Sequence, residues 1–154
     1  MHLLRAEKGY IIVGQDTDGT VTPLDLNLNW MIGKKKKDFI GKRSLIRSDI
    51  VRENRKQLVG LIPINKTYGI EEGQHVIEKE NLSTPIKNPV EMLGHVTSSY
   101  FSPTLKHSVA MALIKGGKRK IGSRLYVSTS NLNTIPVEVV ETSFIDPKNE
   151  RMML

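Results

Sequence analysis

The sequence predicts an α+β protein that is mostly β, with a short helical lead-in followed by a small antiparallel β-barrel or sandwich. After residue 55, short apolar segments follow one another at regular spacing, separated by turn residues, which is typical of small all-β domains. Before that point the chain carries helix-cap and turn signals instead. We therefore expect two regions, residues 1–55 and residues 56–154.

Composition narrows the class of protein. Hydrophobic residues make up 38% of the 154 residues and charged residues 25%, values typical of a globular protein. No apolar run approaches the ~20 residues that a membrane-spanning helix needs, and no secretory signal pattern is present. The chain has no cysteine, which excludes disulfides and thiolate zinc sites. We expect a cytoplasmic protein without a membrane partner.

The charge is strongly positive, with a formal net charge of +7 and a pI near 9.7. The cations cluster at residues 34–37, 42–43, 52–56 and 115–120. Such clusters indicate an anionic partner or a solvated basic surface. Aromatic residues are not interleaved with the lysines as base-stacking platforms would require, so the pattern argues against nucleic acid.

The chain opens with the end of a helix. Leu3, Leu4 and Glu7 precede Gly9, which is placed to act as a C-terminal cap. So short a helix is well below the ~12–15 residues at which isolated helices become marginal in water. We therefore expect it to belong to a larger domain, whose preceding part would pack against it. Residues 10–13 are apolar and favour a buried strand or extended segment, and residues 14–19 favour a turn.

The next segments are assigned from their period and caps. Residues 24–30 alternate leucines with Asp and Asn and end at Trp30, which predicts a strand with one buried face. Asp38 is a suitable N-cap for a helix over residues 39–46, although Gly41 weakens it. A second short helix is predicted from Ser48 to about Asn54.

The β-rich region is predicted from apolar runs bounded by turn residues. Turn signals lie at residues 88–89, 102–103, 116–117 and 131–133, and we interpret residues 116–120 as a basic hairpin tip. The predicted strands cover residues 58–63, 73–77, 93–100, 108–114, 125–129 and 135–141.

Motifs for catalysis or metal binding are not found. The four histidines lack a metal-binding spacing, and we place His95 and His107 at strand edges as ordinary polar residues. There is no Gly-x-Ser-x-Gly elbow, phosphate-binding loop or dinucleotide fingerprint. We assign no catalytic residue and no metal ligand. Arg5 could pair with a carboxylate of the protein or hold a carboxylate ligand, and Trp30 fits a core position.

Several segments together carry a resemblance to a known family. Residues 4–9 read Leu-Arg-Ala-Glu-Lys-Gly, and residues 13–20 read Val-Gly-Gln-Asp-Thr-Asp-Gly-Thr. With residues 37–45, 55–61 and 94–105, they resemble the C-terminal region of the alpha subunits of heterotetrameric sarcosine oxidases. Those subunits belong with the folate-binding aminomethyltransferases of the glycine-cleavage type. The resemblance covers nearly the whole chain and weakens between residues 69 and 89 and after residue 120.

The resemblance implies folate-dependent one-carbon chemistry. In such enzymes a flavin-bearing beta subunit oxidises the N-methyl group of sarcosine, and tetrahydrofolate captures the one-carbon unit. The resemblance places the folate-contact candidates at Arg5, Trp30 and Tyr100, with Trp30 also open to a structural role. It places the catalytic aspartate, a folate-holding glutamate and the NAD-binding half upstream of this chain. Where aminomethyltransferases carry an Arg-Gly-Lys segment, residues 128–131 here read Ser-Thr-Ser-Asn.

The leading hypothesis is therefore the C-terminal folate-domain portion of a sarcosine oxidase alpha subunit. Its expected partners are the other subunits or the upstream alpha region, together with folate, while flavin and NAD would bind elsewhere. By itself such a chain should be inactive as an oxidase. Two alternatives stay open: a non-catalytic interaction module that docks on other enzyme subunits, and a fragment of a glycine-cleavage-type aminomethyltransferase.

Overall fold

The structure is a computed structural model that describes residues 1–80, 89–130 and 133–153. Within these ranges the strands form a closed antiparallel barrel in the order β1-β4-β3-β2-β5-β6, with β6 pairing back onto β1. This confirms the mostly-β fold class and decides between barrel and sandwich. The strands are β1 (Lys56–Pro63), β2 (His75–Ile77), β3 (Met92–Ser102), β4 (His107–Lys115), β5 (Arg124–Ser128) and β6 (Thr134–Val140).

All six strands predicted after residue 55 are present, but three of their six pairings join strands that are not consecutive in the chain. β1 pairs with β4 and β6, and β2 pairs with β3 and β5. The predicted turns at 88–89 and 131–133 fall partly or largely outside the described residues. The 3₁₀ helix Gly117–Lys120 connects β4 to β5. Since those two strands are not neighbours in the barrel, the hairpin tip predicted there was wrong.

The core has two layers that meet at β4. Ala110, Ala112 and Ile114 belong to the cluster inside the barrel. Met111 and Leu113 belong to a second cluster, which also contains Ala6, Leu26 and Leu58. Alternate side chains of β4 thus pack against the barrel interior and against the N-terminal region. Burial on both faces explains why residues 108–114 read as an apolar run with only partial alternation.

The lead-in begins with α1 (His2–Glu7), whose end is close to the predicted one. Gly9 follows it with a φ of +78°, a left-handed conformation that glycine adopts readily. α1 packs against β3 and β4, and the carbonyl of Glu7 accepts hydrogen bonds from the N–H groups of Phe144 and Ile145. The barrel and the segment after β6 therefore supply packing that we had expected from a preceding part of a larger domain.

The strand predicted over residues 24–30 was wrong. These residues form turns followed by the 3₁₀ helix Asn29–Met31. Asn27 has a φ of +62°, which breaks an extended strand, and both Asp25 and Leu26 are buried. Trp30 consequently lies on the surface, with 73% of its area exposed, rather than on a buried face.

Two shorter predictions also changed. α2 (Lys42–Leu45) begins after Gly41, while the Asp38 carboxylate accepts a hydrogen bond only from the N–H of Phe39 among the described contacts. α3 (Ser48–Val51) starts where predicted but ends earlier.

His95 is half-buried within β3 and pairs with His75, and His107 is buried at the start of β4. Neither histidine lies at a free strand edge, because the barrel is closed.

Candidate functional site

Arg5 occupies the last turn of α1, and its side chain is only 10% exposed. One terminal nitrogen donates to the Asp16 carboxylate at 2.5 Å and to the carbonyl of Tyr10 at 3.1 Å. The other donates to the hydroxyls of Ser98 at 2.8 Å and Tyr100 at 3.2 Å. The guanidinium therefore joins the N-terminal region to strand β3.

Asp16 is fully buried and anchors this arrangement. Besides Arg5, its carboxylate accepts hydrogen bonds from the Thr97 hydroxyl at 2.6 Å, the Ser98 hydroxyl at 2.5 Å and the N–H of Ile12 at 2.9 Å. Adjacent residues of a regular strand face opposite sides, but the pairing of β3 with β4 shifts between Val96 and Ser98. This irregularity accounts for two neighbouring hydroxyls reaching one carboxylate.

Tyr100 completes the cluster from β3. The centre of its ring lies 5.5 Å from the guanidinium carbon of Arg5, which is within the range of a cation–π contact. The structure thus brings together two of the three residues proposed from the sequence, Arg5 and Tyr100. It does not bring Trp30 to them, because that residue is exposed on the 3₁₀ helix Asn29–Met31 and is not part of the cleft beside Arg5.

A cleft of about 490 Å³ lies beside Arg5, a size typical of small-molecule sites. Its wall includes Leu4, Tyr10 and Ile145, and its charged residues are Arg5, Glu7, Lys8, Asp146 and Arg151. Lys8 and Asp146 form an ion pair across it at 2.9 Å. The hydrogen bond from Lys8 lowers the pKa of Asp146 below its ordinary value.

The side chains that line the cleft suit the binding of an anion. Among these described residues there is no serine, cysteine or histidine, and the titratable side chains are those of Arg5, Glu7, Lys8, Tyr10, Asp146 and Arg151. Across residues 1–80, 89–130 and 133–153, no three His, Asp or Glu side chains come together as possible metal ligands. The cationic residues and the apolar wall together suit an organic anion.

Sequence reasoning did not identify Asp16, Thr97 and Ser98 as members of the site. Asp16 lies in a glycine-rich turn, where aspartate is common for local reasons, and its hydroxyl partners are 81 and 82 residues away. No local pattern could reveal that contact. In the described part of the chain, no helix is long and apolar enough to span a membrane.

Comparison with known proteins first defines the class. The C-terminal barrel domain of glycine cleavage T-proteins matches residues 56–146, and the chain belongs to that family. The crystal structure of the glycine cleavage system aminomethyltransferase T from Bartonella henselae is similar, with a TM-score of 0.77 at 25% identity. That match covers 95% of this chain and 38% of the other.

Among curated proteins, the similarity to sarcosine oxidase alpha subunits is strong. The subunit of Corynebacterium sp. strain U-96 is 43% identical over 151 residues, and that of strain P-1 is 45% identical over the same length. Each match covers 98% of this chain and 15% of the relative. An aminomethyltransferase of Halothermothrix orenii is 34% identical over 142 residues, covering 92% of this chain and 36% of the relative. The chain therefore spans about 15% of the length of the sarcosine oxidase relatives and about a third of this aminomethyltransferase.

Proposed function

We propose that this chain forms the C-terminal folate-domain portion of a sarcosine oxidase alpha subunit. The complex that contains this subunit would demethylate sarcosine oxidatively to glycine and pass the one-carbon unit to tetrahydrofolate. The observation that carries the proposal is the placement of Arg5, the folate-contact candidate, at the edge of a cleft where Asp16, Ser98 and Tyr100 hold it. Sequence identity of 43% to the Corynebacterium strain U-96 alpha subunit, over 98% of this chain, supports the same assignment.

The role of the chain in this proposal is to orient folate. Three cationic residues of the cleft, Arg5, Lys8 and Arg151, face two acidic ones, Glu7 and Asp146. Arg5 is paired with the buried Asp16, and Lys8 is paired with Asp146. Among the described residues Arg151 forms no such pair, and its charge would attract the carboxylates of the folate glutamate tail. Much of the guanidinium of Arg5 is already bonded within the protein, so its role would be to present a fixed cation rather than a mobile clamp.

Tyr100 and Trp30 would contribute differently. Tyr100 is half-buried against Arg5. It does not line the cleft, so its part would be to keep the guanidinium in place through its hydroxyl. Trp30 is exposed and apart from the cleft, so it could touch folate only if another part of the larger protein brought the ligand to it. The rest of the tetrahydrofolate site, like the flavin and NAD sites, would come from the upstream region or from partner chains.

The proposal implies limited activity for the chain by itself. We infer that residues 1–55 form the end of the folate-binding domain and that residues 56–154 form the barrel domain beside it. The isolated chain should then bind tetrahydrofolate weakly or not at all, and it should not oxidise sarcosine.

A second candidate function, a docking module for other enzyme subunits, has its own supporting observation. Between residues 28 and 51, large apolar side chains are exposed beside a run of lysines. Trp30 is 73% exposed, Met31 63%, Ile40 105% and Ile46 71%. Exposed aromatic and methionine side chains are enriched at protein interfaces. The two functions are compatible, because one surface could dock while the cleft contributes to folate binding.

A segment exchange tests the leading proposal. The matched 151 residues of the Corynebacterium strain U-96 alpha subunit would be replaced by this chain, and the hybrid would be expressed with its partner subunits. We expect sarcosine oxidation together with formation of 5,10-methylenetetrahydrofolate. Oxidation serves as the internal control for correct assembly. A hybrid that oxidises sarcosine but releases the one-carbon unit as free formaldehyde in the presence of tetrahydrofolate would contradict the proposal.

A further inference from the structure

A second pocket, which shares no lining residue with the cleft beside Arg5, is lined by basic residues. It has a volume of about 280 Å³, and its lining includes Arg52, Arg55, Lys56 and Lys115. The remaining lining residues, Thr20, Val21 and Asn54, carry no charge. Four cations and no carboxylate therefore border one concave surface.

The strand register places two of these cations opposite each other, which destabilises the sheet when no anion lies between them. Lys56 of β1 and Lys115 of β4 lie directly opposite each other in the antiparallel pair. Like charges at directly opposed positions destabilise a sheet. Both side chains also line the pocket, so they share one side of the barrel wall. An anion bound between them would convert this repulsion into two attractive contacts.

The acidic residues near the pocket are already engaged or exposed. Asp25 is buried and is held by Arg55 through contacts of 2.8 and 3.1 Å. Glu91 pairs with Lys115 at 3.2 Å but is 77% exposed, and such surface pairs contribute little. Glu53 pairs with Arg119 at 2.7 Å. In the described part of the chain, the ion pairs of the lining residues involve Arg55 and Lys115, which leaves Arg52 and Lys56 available to a ligand.

The Arg55 side chain, which lines the pocket, is held in place by hydrogen bonds. Its guanidinium donates to the carbonyl of Thr20 at 2.6 Å and to that of Asp49 at 3.3 Å, in addition to its bonds with Asp25. The charge of Lys56 also acts on His95. Burial lowers the pKa of that histidine, and the charge of Lys56 lowers it further, against an opposing effect of Asp18.

We propose that the pocket formed by Arg52, Arg55, Lys56 and Lys115 is a binding site for a phosphate group. A phosphate carries close to two negative charges and three acceptor oxygens near neutral pH, which suits two opposed lysines and the guanidinium fork of Arg52. Asn54 adds an uncharged amide to the lining. The group could be free phosphate or the phosphate of a small metabolite. This site is independent of the proposed folate role.

Isothermal titration calorimetry of the 154-residue chain tests the proposal, with inorganic phosphate and ribose 5-phosphate as probes at constant ionic strength. Saturable binding of at least one probe is expected. Lys56→Met and Lys115→Met should each weaken binding about tenfold, since each removes a charge-assisted hydrogen bond. Lys35→Met, which removes the same charge from the exposed run at residues 34–37, should change it less than twofold. Tighter binding of ribose 5-phosphate would identify a phosphorylated metabolite, and equal binding would indicate free phosphate.

Thermal unfolding supplies a second readout that a general charge effect would not reproduce. Without phosphate, Lys56→Met should leave the melting temperature unchanged or raise it, because one of two opposed like charges is gone. Phosphate should raise the melting temperature of the wild-type chain by more than it raises that of this variant. The proposal is overturned if phosphate acts no differently from chloride at equal ionic strength, or if Lys35→Met weakens binding as much as Lys56→Met does.

Discussion

Replacing Asp16 by asparagine should strongly destabilise the protein. Asp16 is fully buried, and its carboxylate accepts hydrogen bonds from Arg5, Ile12, Thr97 and Ser98. Asparagine has nearly the same shape, but it carries no charge and presents N–H donors where the site supplies donors already. Breaking a buried ion pair from one side costs about 3–5 kcal/mol. Domains of this kind have about 5–15 kcal/mol of total stability, so the loss would be a large share of it.

Urea denaturation followed by circular dichroism measures the effect. With a urea dependence of about 2 kcal/mol per molar, the expected loss moves the midpoint down by about 2 M. Asp49→Asn is the matched control, because Asp49 also pairs with an arginine, Arg47, at 3.2 Å. That pair is 67% and 52% exposed, and exposed pairs contribute only about 0.2–1 kcal/mol.

A double-mutant cycle separates the ion pair from the hydroxyl contacts of Asp16. Arg5→Met and Asp16→Asn, singly and together, should give a coupling free energy of about 1–3 kcal/mol. The same cycle on Arg47 and Asp49 should give about 0.5 kcal/mol or less. The reasoning is refuted if Asp16→Asn costs no more than Asp49→Asn, because the buried network would then contribute no more than a surface pair.

Two further predictions concern the barrel and the Asp25–Arg55 pair. A Cβ atom at Gly94 would lie 1.8 Å from the Leu113 carbonyl oxygen, so Gly94→Ala should cost about 3 kcal/mol or more or prevent folding. Gly69→Ala has open space and should be nearly neutral by urea denaturation; equal losses would contradict this. Burial would raise the pKa of Asp25, but hydrogen bonds from Arg55 and Thr22 outweigh it and hold the pKa below its ordinary 3.8. Asp25 therefore stabilises the fold above about pH 4 and loses this contribution as the pH falls through its folded pKa. The stability difference between wild type and Asp25→Asn should be largest near about pH 6 and shrink below about pH 4; a difference independent of pH would refute it.

The strands were predictable because each is a short apolar run closed by turn residues, a signal that is local in the sequence. The closure of the barrel was not predictable in the same way. It depends on β1 pairing with β4 and β6, whose residues lie about 50 to 80 positions further along the chain. Apolar period alone cannot distinguish a barrel from a sandwich, since both bury one face of each strand.

The error at residues 24–30 has a specific cause. Leu24, Leu26 and Leu28 alternate with polar residues, which is the usual sign of a strand. In the structure the N–H of Leu28 donates to the carbonyl of Pro23, and Asn27 adopts a positive φ. Asp25 is buried and bonded to Arg55 instead of facing solvent. The alternation therefore did not indicate a strand here, because Asp25 is buried in an ion pair with Arg55.

The candidate site was predictable only in part. Arg5 and Tyr100 were proposed from the family resemblance. In the structure a terminal guanidinium nitrogen of Arg5 donates a hydrogen bond to the Tyr100 hydroxyl at 3.2 Å. Asp16 is the buried partner that orients Arg5. The hydrogen bonds of its carboxylate depend on β3 residues more than 80 positions away and on a local shift in strand pairing. Such contacts are set by the fold, so a single sequence does not contain a local sign of them.

The dissociation constant of tetrahydrofolate in the segment-exchange hybrid tests the central claim most directly. Arg5→Lys in that hybrid keeps the positive charge but removes the planar fork that contacts Asp16, Ser98 and Tyr100. The account predicts that this change weakens tetrahydrofolate binding about tenfold or more while sarcosine oxidation continues, whereas Arg47→Lys on the exposed surface leaves both unchanged. Equal tetrahydrofolate affinity in the Arg5→Lys and Arg47→Lys hybrids would contradict the assignment of Arg5 to the folate site.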